Sequence, residues 1–285
     1  MKKIPTRKIT ATTKEPAIAA AFSIRKLSDL LDGKDMLQEL HRHDFFYLLA
    51  LEKGAGVHEI DFTSFTVCNH SLFFMRPGQV HQLTLKAGST GYLVQFNADF
   101  YYPHDKAANQ FLRKINTRSF FRFDTGSFKK PLSVLTHIFN EYSNRQEKYQ
   151  EAIRADLDIL LIELIRRHCK IGSTTTVSYT QEKLDEFLEL VNTHLATHKQ
   201  VSQYAAMMNL TPYQLNAISK TSLGKTCSQV ITEHIILESK RYLLATTNQV
   251  NQIAWQLGYE DVSYFIRFFK KQTGYSPEQF RQNSR

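Results

Sequence analysis

Three histidines stand where strand geometry would bring their imidazoles together. In His41-Arg42-His43-Asp44-Phe45-Phe46-Tyr47 every second residue falls on one face of an extended strand, so that His41, His43, Phe45, Tyr47 and Leu49 look the same way. His81 follows directly on the tight turn offered by Arg76-Pro77-Gly78-Gln79-Val80. Buried neutral imidazoles can ligate a transition metal, hydrogen-bond an organic ligand, or satisfy one another inside a core. Three histidines alone leave a tetrahedral ion short of a fourth protein ligand. All three readings stay open, and the residues expected to contact a small ligand are His41, His43, Tyr47 and His81, with no metal or other cofactor assigned.

A different chemistry is written near the other end of the chain. Val250, Ile253, Ala254 and Leu257 recur at helical spacing, and Gly258 stops that helix where φ > 0 is wanted. Asp261 can then cap a second helix, with Tyr264, Phe265, Phe268 and Phe269 on one side. Val262, Ser263, Ile266, Arg267 and Lys270 lie on the other. Two short helices joined by a glycine turn, the second with a small, polar and basic outer face, form a pattern suited to the DNA major groove. Arg267 suits guanine or phosphate, Val262 and Ser263 are small enough to admit the groove, and Lys270 and Lys271 suit the backbone. The same pattern appears upstream: a short helix from Val201 to Met208, a turn over Asn209-Leu210-Thr211-Pro212, and a partner helix from Pro212 to Leu223 ended by Gly224. There Tyr213 and Asn216 are the expected base-facing residues, and Lys220 and Lys225 the expected phosphate contacts. An amphipathic helix over residues 228–246 lies between the two units and would fix their separation.

The elements that must position these residues follow from the rest of the chain. Residues 1–20 are basic and rich in Thr and Ala without periodicity, and read as a flexible arm. From Phe22 to about Phe100 short apolar or alternating runs are broken by glycine and polar turns, the pattern of an antiparallel barrel or sandwich. Residues 107–170 turn helical, with one stripe of Leu132, Leu135, Ile138, Phe139 and Tyr142 and a longer one of Ile153, Leu157, Leu160, Leu161, Leu164 and Ile165. So wide an apolar face can pack on the barrel alone or also on a copy of itself. A Ser/Thr/Gly-rich stretch, residues 171–180, reads as a linker, and helices resume from residue 181.

The ordered string Leu257-Gly258-Tyr259-Glu260-Asp261-Val262-Ser263-Tyr264-Phe265, then Arg267-Phe268-Phe269-Lys270-Lys271, then Gly274-Tyr275-Ser276-Pro277-Glu278-Gln279-Phe280-Arg281 closely resembles the signature of the AraC/XylS family of bacterial transcription regulators. The histidine pattern with Gly54 and the Pro-Gly turn before His81 is similar to the two cupin motifs and resembles the cupin-like sensor domain of that family. Metal-binding cupins carry a glutamate where this chain has Tyr47. The resemblance implies an α+β chain: a cupin-like β-barrel followed by helices over residues 21–170, serving effector binding and dimerisation, and an all-α domain with two helix-turn-helix units over residues 181–285, serving DNA binding. Its implied partners are double-stranded DNA, a second copy of the chain, a small-molecule effector and RNA polymerase.

Composition bounds the alternatives. No apolar run reaches the length of a membrane span, and the basic start lacks the apolar stretch of a signal peptide, so a cytoplasmic protein without membrane partners is expected. Three widely spaced cysteines, Cys68, Cys169 and Cys227, suggest neither a disulfide framework nor a cysteine metal site. The formal charge of +9 invites a nucleic-acid reading, but residues 181–285 hold nearly as many acidic as basic residues, so position rather than net charge must carry it. No nucleophile elbow, phosphate loop or paired-carboxylate motif stands out, and no enzyme is expected. The competing class is a metal-dependent cupin enzyme with a DNA-binding tail.

Overall fold

The computed structural model describes residues 6–9, 21–101, 118–169 and 179–283, with backbone only for His168 and Cys169. The expected linker up to residue 178 and most of the expected arm lie outside these residues. The described chain falls into two compact units, residues 6–169 and 179–283.

The first unit is built from two facing sheets. One has the order β1 (Thr6–Arg7), β3 (Met36–His43), β8 (Val80–Leu85), β5 (Gly56–Ile60), β6 (Thr63–Val67). The other runs β10 (Phe120–Arg122), β7 (Ser71–Met75), β4 (Phe46–Lys53), β9 (Thr90–Phe96), β2 (Phe22–Lys26). Between the sheets lie Phe45, Tyr47, Leu49, Leu51, Phe73, Met75, Leu83, Leu85 and Leu93, closed at one side by Leu27 and Leu31 of α1 (Leu27–Leu31).

The sequence pattern suggests one strand running through His41 and Tyr47, and the structure breaks it at a corner. β3 ends at His43 in one sheet and β4 starts at Phe46 in the other. Asp44 and Phe45 make the passage. Because that corner takes two residues, an even number, the alternation keeps its parity, and His41, His43, Phe45 and Tyr47 all still point inward. β4 itself is buried on both faces from Phe46 to Leu51. Its odd residues fill the space between the sheets, while Phe46, Leu48 and Ala50 pack outward against helices.

Those helices are α2 (Ala98–Tyr101), α3 (Thr125–Asn144) and α4 (Tyr149–Cys169). Asp124 starts α3 by accepting a hydrogen bond from the Ser127 amide at 2.9 Å. Phe128, Leu135 and Ile138 of α3 and Ile153, Leu157, Leu160, Leu161 and Leu164 of α4 join Leu48, Phe74 and Val94 in one cluster. All five of those α4 residues are fully buried. The width of the α4 stripe is therefore consumed by the protein's own sheet and by α3, and the leucines expected as a possible dimer seam are not free to meet a second copy. On the outward side of α4, Ile159 remains 43% exposed.

A second expectation also changes. Within the segment read as a flexible arm, Thr6 and Arg7 pair in parallel with Arg42 and His43, and Ile9 is buried among Leu27, Leu31 and Phe45. An apolar side chain in a basic, Thr-rich stretch gives no periodic signal, yet it suffices to hold this short piece on the sheet.

The second unit is all helical: α5 (Tyr179–His194), α6 (Val201–Met207), α7 (Pro212–Leu223), α8 (Cys227–Ala245), α9 (Val250–Gln256), α10 (Val262–Thr273) and α11 (Pro277–Asn283). One core, built on Phe187, Tyr204, Leu215, Ile231, Ile253, Phe265 and Phe269, joins all but α11 and draws Phe280 of α11 against it. The start and stop signals repeat. Gln200 with Gln203 and Gln249 with Gln252 form capping boxes at α6 and α9. Asn209 and Gly258 take φ of 53° and 73° in the two turns, and Gly224 and Gly274 end α7 and α10 in the left-handed region. Two copies of one helix-turn-helix design are thus joined by α8.

Candidate effector site and nucleic-acid interface

The corner between β3 and β4 and the register of β3 on β8 bring the expected histidines into direct contact. His41 pairs across the strands with His81. The Nε2 atoms of His43 and His81 are 2.7 Å apart, and those of His81 and His41 3.1 Å. His41 donates from Nδ1 to the carbonyl of Glu39 at 2.6 Å. Tyr47 stacks on His43 with ring centroids 5.2 Å apart.

A fourth histidine completes the cluster. His58 lies on β5 opposite Leu83, and its Nε2 is 2.8 Å from Nδ1 of His81. The sequence reading missed it, although the signal was present: in Gly56-Val57-His58-Glu59-Ile60 alternation puts His58 on the same face as Ile60, and both are buried.

Burial sets the electrostatics. Loss of hydration pushes the basicity of His41 and His81 down and holds His43 and His58 at about 3, and neighbouring imidazoles add to the effect at His43, His58 and His81. Arg7 on β1 lowers His41, His43 and His81 further. The same burial pushes the Tyr47 phenol up, so it stays a neutral hydroxyl. Burial thus favours the neutral form of all four rings, in which ring nitrogens offer lone pairs. Among the described residues, Nδ1 of His43, Nδ1 of His58 and the Tyr47 hydroxyl are buried without a hydrogen-bond partner. His41, His43, Tyr47 and His81 do come together as expected, but with their rings in contact and closed off from solvent rather than lining an open pocket.

In the helical unit, α10 is placed by Phe265 and Phe269, both fully buried, and capped by Asp261, whose carboxylate accepts from the amides of Ser263 and Tyr264 at 2.7 and 3.1 Å. Ser263, Arg267, Lys270 and Lys271 are exposed, while Val262 and Ile266 are half-buried at the edge of the core. Tyr264, expected on the inner side, is instead 54% exposed and rests its ring on Tyr259. A twelve-residue helix with one face on the core has room inside for Phe265 and Phe269 but only partly for the residues flanking them. The Arg267 guanidinium reaches no nearer than 3.9 Å to Asp261, an exposed pair that holds it weakly.

On α7, Tyr213 is 84% exposed and Lys220 is exposed, as a reading face requires. Asn216 is placed differently. Its amide nitrogen donates to the Pro212 carbonyl at 3.0 Å, and its oxygen accepts from the Cys227 amide at 3.0 Å, the first residue of α8. That side chain ties α7 to the start of α8, so it positions the reading helix instead of offering a free edge to adenine. The repeat explains the shift: Ile266 holds the matching place on α10 and also leans on the core. Lys225 is bound to Glu233 at 2.7 and 2.9 Å, an exposed pair that phosphate could compete for.

Comparison with known proteins agrees with this division. Residues 32–124 match the family model described as the AraC-like ligand binding domain, and residues 204–283 match a helix-turn-helix domain. Among curated proteins the chain is similar to the HTH-type transcriptional activator RhaR of Cronobacter sakazakii (strain ATCC BAA-894), 22% identical over 249 residues, covering 85% of this chain and 86% of that protein. It is also similar to the HTH-type transcriptional activator RhaS of Enterobacter sp. (strain 638), 21% identical over 252 residues, covering 85% and 87%. Of solved structures, ToxT from Vibrio cholerae O395 aligns over 92% of this chain and 97% of that chain at 12% identity, with a TM-score of 0.43. Sheet-rich sensor, paired helix-turn-helix units and family matches in the same order lead to one assignment: the chain belongs to the AraC family of transcription regulators.

Proposed function

We propose that the chain is a cytoplasmic transcription activator that reads double-stranded DNA through α7 and α10 and answers to an effector bound by its N-terminal unit. The observation that carries the DNA reading is the repeated design itself: two helix-turn-helix units share one core, each presenting an exposed second helix. α8 lets the two helices enter successive major-groove segments, about 34 Å apart. Ser263 and Arg267 read base edges on α10, Tyr213 does so on α7, and Lys220, Lys225, Lys270 and Lys271 hold phosphates. Val262 and Ile266 shape the foot of α10 against the groove. The regulators RhaR and RhaS are activators by name, which supports activation; contact with RNA polymerase is part of the same proposal. No helix among the described residues is long and apolar enough to cross a membrane, which fits a cytoplasmic site of action. Pairing into a homodimer belongs to the same reading and falls to the outward side of α4, around Ile159. No catalytic role is assigned to any residue.

The test is Arg267→Ala in the full chain. A base contact is worth about 1–3 kcal/mol of discrimination. Affinity for the preferred site should fall by that amount, while affinity for random DNA of equal length falls much less. Equal losses on both DNAs would move Arg267 from the bases to the backbone.

A further inference from the structure

The histidine knot between the sheets poses a problem of protons. His41 must keep its proton on Nδ1, because the Glu39 carbonyl 2.6 Å away can only accept. Its Nε2 therefore carries a lone pair toward Nε2 of His81, 3.1 Å away. Nε2 of His81 also meets Nε2 of His43 at 2.7 Å. Three uncharged imidazoles in this geometry have two arrangements open to them. Either a single proton on His81 Nε2 serves two acceptors at once, or one of the contacts has no proton and sets two lone pairs face to face.

We infer that the effector site of this sensor takes a divalent transition-metal ion, held by Nε2 of His41, His43 and His81. The inference deepens the ligand-responsive reading above and rests on it only for the consequence at DNA. Three donor atoms, one from each ring, lie within 4.8 Å of one another. At metal–nitrogen distances of about 2.0–2.1 Å the ligands of a tetrahedral ion sit about 3.3 Å apart, so small side-chain adjustments suffice. The ion takes all three lone pairs and removes the conflict over the proton. Rings with centroids 4.4–4.8 Å apart admit no organic molecule between them, whereas an ion requires them only to spread slightly.

Two outer contacts have the form that such sites use. The Nδ1–H of His41 is fixed by the Glu39 carbonyl, and Nδ1 of His81 faces Nε2 of His58 at 2.8 Å. Each holds a ligand ring with Nε2 turned inward. Among the described residues no carboxylate enters the set. Imidazole-only donors select zinc, nickel, cobalt or copper over magnesium and calcium, which prefer oxygen. Water would complete the coordination, and among the described residues the Tyr47 hydroxyl is buried without a partner in the same cluster.

The experiment uses the full chain, stripped with chelator and titrated with cobalt(II) and separately with zinc(II). One cobalt per chain should bind and give the visible absorption of a nitrogen-rich tetrahedral site, which zinc then displaces. His43→Gln and His81→Asn should each weaken binding at least 100-fold. His58→Gln, which leaves all three ligands, should keep the stoichiometry and the spectrum and lose 10–100-fold in affinity. Thermal melts of the stripped variants show that they fold. Should His81→Asn fail that check, His43→Gln and His58→Gln still decide. Absence of stoichiometric cobalt uptake by the wild-type chain overturns the inference, as does uptake that survives His43→Gln in a folded protein. DNA binding is followed in parallel: a chain that binds cobalt but no specific DNA refutes the regulatory reading and leaves the metal site standing. A chain that binds DNA but no metal does the reverse.

Discussion

Replacing Leu161 by glutamate unfolds the N-terminal unit and does not yield a folded monomer. Leu161 is fully buried on α4, in the cluster that also holds Leu48, Phe74, Val94, Leu135 and Leu157. The leucine contributes a hydrophobic transfer and packing term of about 2–5 kcal/mol, the cost of truncation to alanine at such a site. The carboxylate adds the penalty of burying a charge among apolar side chains. The sum matches or exceeds much of the 5–15 kcal/mol that typically holds a domain together. Loss of the cooperative melt of the sensor, with exposed apolar surface detected by dye binding, is the expected result. A Leu161→Glu protein that melts like the wild type and merely sediments as a smaller species would show that α4 faces a second copy after all.

The second large effect is expected at Gly258. Its φ of 73° already costs any side-chain-bearing residue roughly 1–2 kcal/mol. The heavier cost is steric. A Cβ there would stand 1.7 Å from the Ala196 carbonyl oxygen and 2.8 Å from its carbon, both backbone atoms of the turn that follows α5. Lys199 clamps the same place by donating to the carbonyls of Ala196 and Gly258, each at 3.0 Å. Gly258→Ala therefore has to push the α9–α10 turn away from the end of α5. Specific DNA binding should be lost, and hydrogen exchange should show α9 and α10 deprotected while the sheets keep their protection. The matching turn of the first repeat carries Asn209 at a φ of 53°, where a side chain is tolerated. Wild-type DNA affinity in Gly258→Ala would mean that the turn is free to move without disturbing α10.

These two sites show what the sequence disclosed and what it withheld. The helix-turn-helix units were legible because their signals are local: Gly258 and Gly274 as stops, Asp261 and Pro277 as starts, and the Phe265 and Phe269 spacing as an inner face. The paired sheets were legible as short alternating runs. What the sequence withheld depends on partners far along the chain. Nothing near Leu161 reveals that a sheet and α3 already cover its face, and nothing near Asn216 reveals that the start of α8 takes its side chain. His58 needed the register of β5 on β8 before it could be placed beside His81. Tyr47 was read correctly toward the histidines only because the corner at Asp44 and Phe45 preserves parity.

Two reading helices on one core should give this chain a preferred DNA sequence. The most direct test is selection of bound duplexes from a random-sequence pool by the full chain, at a salt concentration where backbone contacts alone hold weakly. One enriched site is expected, containing two short recognised segments about one helical turn apart on the same face of the duplex. Retention of DNA with no enriched sequence, or of none at all, would contradict it.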